Sequence, residues 1–164
     1  MAAWSCDLLN AMRLFLLRHA DAEAQATSDL ERPLSEKGHR QAKDIAAFLK
    51  RLKTPPQIVL TSPALRALQT AEPVANALGV ESVPCSWARP GMSAGDALHE
   101  LPAYASFHEV LLVGHQPDLG MLAARLIGAT DPARIHVRKA SLLQLTMTAP
   151  TGALLEALIP CHLM

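Results

Sequence analysis

Three short polar clusters follow three apolar runs in this chain. Arg18 and His19 close "RLFLL" (Arg13 to Leu17), Ser62 and Arg66 flank Pro63 just after "IVL", and His115 with Gln116 follows "VLLVG". Taken singly, a histidine after a strand or an arginine early in a helix is ordinary. Taken together they supply two permanent cations and two imidazoles. Guanidinium groups give charge-assisted hydrogen bonds to phosphoryl oxygens, and a neutral imidazole attacks phosphorus without first losing a proton. Nearby cations also depress the imidazole pKa and keep it neutral. The chemistry indicated is a pocket for a phosphate group. Ser62 has two compatible uses, as a helix N-cap or as a donor to phosphate. Gln116 offers a backbone N–H or its amide, or is an ordinary loop residue. The histidines lack the i, i+4 spacing of a helical metal site and share their surroundings with arginines, so no metal is expected.

The elements that must carry these residues read as alternating strands and helices. Arg13 to Leu17 is a short, continuous apolar run, as in a strand covered on both faces. Ala42, Ile45, Ala46, Leu49 and Leu52 fall at helical spacing between Ser35, a candidate N-cap, and Leu52. A second strand is expected over Gln57 to Leu60, then a helix capped by Ser62 with Pro63 at its first position, kinked at Pro73 and closed by Gly79. A helix is expected from Ala94 to Phe107, a strand over Glu109 to Val113, and a helix from near Pro117 to Gly128. "KASLLQLTM" and "GALLEALI" read as two strands joined through Pro150 to Gly152. This order predicts a three-layer α/β/α sandwich with a mostly parallel sheet. In such sheets ligands bind at the carboxyl ends of the strands, where the polar clusters stand.

The segments "LLRHADAE", "RPLSEKGHRQA", "TSPALRALQTAE" and "VGHQPDLG" resemble, in order, the signature segments of the histidine phosphatase superfamily, which includes the phosphoglycerate mutases. The resemblance covers Met12 to about Ile159. Its short length, the Arg-Pro-Leu-Ser loop before Gly38 and the "ARPG" loop are similar to the compact SixA-type phosphohistidine phosphatases. It implies a phosphoglycerate mutase-like fold and a metal-independent, cofactor-free phosphatase. His19 would be the nucleophile, and Arg18, Arg66 and His115 would hold the phosphoryl oxygens, His115 as a further cation if protonated. The implied partner is a phosphorylated protein, such as a histidine phosphotransfer domain or a phosphocarrier, with inorganic phosphate as product.

Two departures bear on turnover. Ala20 stands where the family has glycine after the nucleophile. The loop "CSWARPGMS" (Cys85 to Ser93) has no carboxylic acid to protonate a leaving oxygen. Asp21 and Glu23 read as solvated charges, and an acid would have to come from Asp21, Glu81 or Glu100. An alkoxide needs such a proton, whereas a ring-protonated phosphohistidine releases a neutral imidazole without it. Phosphohistidine hydrolysis is thus expected. The alternatives are a phosphomonoesterase for a small metabolite and a non-catalytic phosphate-binding module.

With 164 residues, half of them apolar, and fifteen basic against fifteen acidic side chains, nothing marks a nucleic acid or membrane partner. One domain over 12–164 is expected, as a monomer, after an N-terminal extension over 1–11 that lacks a secretory pattern. The three cysteines, Cys6, Cys85 and Cys161, are too few and too scattered for a disulfide framework, so a reduced, cytoplasmic setting is expected.

Overall fold

A computed structural model describes residues 12–164, so the extension expected over 1–11 lies outside the described residues. Six strands form one sheet: β1 (Arg13–Arg18), β2 (Ile58–Thr61), β3 (Ser82–Pro84), β4 (Glu109–Gly114), β5 (Leu142–Ala149) and β6 (Gly152–Ile159), in the order β3-β2-β4-β1-β5-β6. The β1–β4, β4–β2 and β2–β3 pairs are parallel, and β5 runs antiparallel to both β1 and β6. Among the described residues four α-helices, α1 (Glu36–Lys50), α2 (Leu65–Leu78), α3 (Ala94–Glu100) and α4 (Asp118–Ile127), flank the sheet.

The pleat of β1 explains the layers. Leu14 and Leu16 point into a core shared with α3 and α4, while Phe15 and Leu17 point into one shared with α1 and α2. All four side chains are fully buried, each stabilising the fold by roughly 1.5–3 kcal/mol. A central strand with both faces covered reads as an unbroken apolar run, which is why β1 was visible in the sequence.

Local differences have local causes. The helix expected from Ala94 to Phe107 stops at Glu100 and continues as a 3-10 turn over Leu101–Tyr104, where Pro102 cannot supply an N–H to an α-helical ladder. By contrast α2 passes through Pro73 and is closed by Gly79 at φ 68°, as expected. Strand β3 was not anticipated, being only three residues beside β2. Cys85 and Cys161 are free thiols.

Ser35 caps α1 as expected, its Oγ accepting from the Gly38 N–H at 3.1 Å. A Cβ at Gly38 would overlap the Asp21 carbonyl oxygen, which accepts from the Ser35 N–H at 3.0 Å. Alanine gains about 1 kcal/mol of helix propensity over glycine, but overpacking against backbone costs roughly 1–3 kcal/mol or more. Gly38→Ala is therefore expected to lower stability in urea denaturation. An unchanged or higher midpoint would contradict this packing.

Candidate active site

The carboxyl ends of β1, β4 and β2 lie side by side, since Arg18 pairs with Gly114 and Thr61 with Val113. The residues after these ends therefore meet. Arg18, His19, Arg66, His115 and Gln116 line one open cleft of about 550 Å³. Ser62 lies behind it, fully buried, with its Oγ 2.7 Å from His115 Nε2.

His19 is 6% exposed, and backbone contacts orient it. Its Nδ1 lies 2.8 Å from the carbonyl of Ala20, so it must carry the proton and donate. Nε2 is then a lone pair, and it accepts from Arg66 Nε at 3.3 Å. The same logic applies to His115. Its Nδ1 lies 3.4 Å from Arg66 Nη2, which can only donate, so Nε2–H is the donor to Ser62. The Arg66 guanidinium thus bridges two rings whose centroids are 5.2 Å apart.

The cations are anchored from outside the cleft. Arg66 Nη1 donates to the Asp29 carbonyl at 2.5 Å and Nη2 to the Asp29 carboxylate at 3.0 Å. Asp29 also pairs with Arg32 at 3.0 Å. Arg18 Nη1 donates to the Val137 carbonyl at 2.9 Å, while its buried Nε has no partner among the described residues. Such an orphan donor fits an oxyanion. Lys139 and Arg32 also line the cleft, and Lys139 pairs with Asp21 at 2.7 Å.

Comparison with known proteins agrees with this geometry. Residues 14–87 match the model of the histidine phosphatase superfamily, branch 1. The chain is 34% identical over 130 residues to phosphohistidine phosphatase SixA of Escherichia coli, covering 74% of this chain and 78% of that protein. An uncharacterized Picosynechococcus protein is 36% identical over 139 residues, covering 82% and 84%. The structure of the protein histidine phosphatase SixA complexed with tungstate superposes with a TM-score of 0.84 at 28% identity, over 92% of this chain and 98% of that one. The chain is a SixA-type member of the histidine phosphatase superfamily.

In this SixA-type chain one expected use is overturned, and the surroundings of two other residues are defined. Ser62 is not the N-cap of α2: the helix begins at Leu65 with Ala64 in the cap position. The Ser62 hydroxyl is instead committed to His115 and accepts from the Ala64 N–H at 3.2 Å. Gln116 lines the cleft and donates one of its two amide N–H groups to the Ile135 carbonyl at 3.3 Å. Ala20 is fully buried in the core under α1 and α2, and its N–H donates to Thr70 Oγ1 at 3.0 Å. Among the described residues only Ala140 is a non-glycine with positive φ, so Ala20 needs no glycine conformation.

The missing acid has a partial answer. Asp21 does not line the cleft, and its bonds to Lys139 and then Ser35 hold its carboxyl below the usual range. Glu81 and Glu100 do not line it either. Asp118, in the first turn of α4, does line it, is 5% exposed, and accepts from the Gly91 N–H at 2.9 Å. Sequence reasoning passed over Asp118, Asp29, Arg32 and Lys139, although the first three lie in or beside the quoted motifs.

Burial, and then Arg66, Arg18 and Lys139, hold the His19 pKa down at about 4, against the bond to Ala20, which raises it. Burial, then His19 and Arg66, take His115 to about 3. Burial and the neighbouring charges thus favour neutral His115 in the free site, so the protonation on which its use as a further cation depended is disfavoured there. The unfolded chain protonates these imidazoles near 6.5 while the folded one does not, so stability should fall as pH drops below that value. In NMR titration both rings should keep neutral-form shifts at about pH 5.5, where an ordinary imidazole is mostly protonated. Midpoints near 6.5 for both would contradict the burial and charge just described.

Proposed function

We propose that this SixA-type phosphatase removes phosphoryl groups from protein histidines through a covalent intermediate on His19. The observation that carries the reading is the fixed tautomer of His19, with Nδ1–H held by Ala20 and the Nε2 lone pair facing the guanidinium of Arg66. Nε2 attacks phosphorus, the phosphorus–nitrogen bond of the substrate breaks, and its electron pair stays on the departing ring nitrogen. The exchange is between two imidazole nitrogens, so it is close to balanced and needs no acid when the substrate ring already carries a proton.

Water then attacks the phosphoryl group on His19. The Nε2–phosphorus bond pair returns to Nε2, and the oxygen and both protons of the water leave as dihydrogen phosphate. Arg18 and Arg66 offset charge on the equatorial oxygens, the main source of catalysis in phosphoryl transfer. Ser62 and Ala20 hold the two imidazoles in place. These steps use only residues of the chain, without metal or cofactor.

A phosphorylated histidine protein as partner is supported by the names of the SixA relatives. The partner envisaged is a histidine phosphotransfer domain or a phosphocarrier. The second reading, a phosphomonoesterase for a small metabolite, draws on Asp118, whose carboxyl is pushed up by burial and so is a candidate proton donor. The deciding experiment offers histidine-phosphorylated protein, phosphoramidate and phosphate esters to the enzyme in EDTA. Preference for phosphohistidine with full activity in chelator supports the proposal. Preference for an ester, or loss of all activity in EDTA, overturns it.

A further inference from the structure

Among the described residues lining the cleft, Arg18, Arg32, Arg66 and Lys139 are permanent cations and Asp118 is the only carboxylate. A carboxylate in an anion site repels the phosphoryl group, so it belongs beside another part of the substrate. Its place in the wall is well defined. It stands at the start of α4, next to Pro117, and its Oδ2 accepts from Gly91, which itself lines the cleft with Pro90. A carboxylate has about four acceptor sites, and the backbone N–H groups of Gly91, Met92 and Asp118 itself take up to three of them. One acceptor position is left, on a carboxylate that lines the cleft, for a single donor entering it.

The part of a phosphohistidine that suits such a group is the leaving imidazole. Its ring has a second nitrogen, and the leaving group departs as a neutral imidazole only when that nitrogen carries a proton. We propose that Asp118 accepts the ring N–H of the substrate imidazole and holds that ring protonated while the phosphorus–nitrogen bond breaks. No proton moves to or from Asp118: the bond pair passes to the departing nitrogen, and the proton on the other nitrogen stays. The assignment rests on the phosphohistidine reading and names the leaving-group subsite for it. Burial, which pushes the Asp118 carboxyl up, makes a cationic N–H partner more favourable there than an exposed one would be.

Asp118→Asn keeps an oxygen for the Gly91 N–H and removes the charge. It should lower kcat/KM toward a protein chemically phosphorylated on histidine by about 10- to 100-fold, the scale of one hydrogen bond to a charged group. The loss on phenyl phosphate, whose leaving group has no N–H, should be smaller by at least about ten-fold, so the ratio of the two kcat/KM values is the readout. Asp118→Glu, which restores the charge, should recover part of the phosphohistidine activity, and melting curves establish that each variant is folded. Equal losses on both substrates would make Asp118 a clasp for the Gly91 loop and overturn the proposal. A larger loss on phenyl phosphate would make it a general acid and overturn it as well. A wild-type enzyme inactive on phosphohistidine but active on esters would overturn the functional reading itself, a different result from either.

Discussion

His19→Ala is expected to abolish turnover, by roughly 10³-fold or more, as removal of a nucleophile does in enzymes that use one. The loss should fall on kcat. Arg18, with its unpartnered Nε, and Arg66, anchored by Asp29, remain in the cleft, so inorganic phosphate should still bind. The variant also removes the acceptor of Arg66 Nε, which frees that donor for a phosphate oxygen. Full activity in His19→Ala, measured by release of phosphate from histidine-phosphorylated protein, would exclude the covalent route.

Arg66→Lys should cost nearly as much although it preserves the charge. Arg66 uses all three guanidinium nitrogens at once: Nε toward His19, Nη2 toward His115 and Asp29, and Nη1 toward the Asp29 carbonyl. A lysine ammonium is one point charge and cannot span these partners. Loss of one preorganised donor to a transition-state oxyanion typically costs about 10²–10³-fold in kcat, and that range is expected here. Near-wild-type kcat in Arg66→Lys would mean that charge alone suffices and that the fork geometry is incidental.

The parts of this site that were legible in the sequence were those written into a local pattern. Arg18 ends β1, His19 and His115 directly follow β1 and β4, and both faces of those strands being covered leaves an apolar run that stops at the edge of the cleft. The resemblance supplied roles that spacing alone does not. What was not legible depends on the order of strands. Lys139 reaches the cleft because β5 pairs with β1, so the segment before β5 returns to the end of β1, where the Ala140 N–H meets the carbonyls of Arg18 and His19 at 3.2 Å. Asp29 and Arg32 come from a polar loop with no periodicity to read.

Ser62 shows a local rule overridden by a tertiary contact. Serine before proline reads as an N-cap, yet the nearby His115 side chain takes the hydroxyl and α2 starts three residues after Ser62. Asp118 shows the reverse: a carboxylate in the first turn of a helix reads as a favourable dipole partner, and only the closeness of the Gly91 loop reveals that it faces the cleft. Among the described residues no helix is long and apolar enough to cross a membrane.

The central claim is that His19 carries the phosphoryl group. Its most direct test is to mix the enzyme with ³²P-labelled, histidine-phosphorylated protein, quench in alkali within the first turnover and map the label on the enzyme. The mechanism predicts an acid-labile, alkali-stable label on the peptide containing His19, absent from His19→Ala. Turnover with no labelled enzyme at any quench time, or a label retained in His19→Ala, would contradict it.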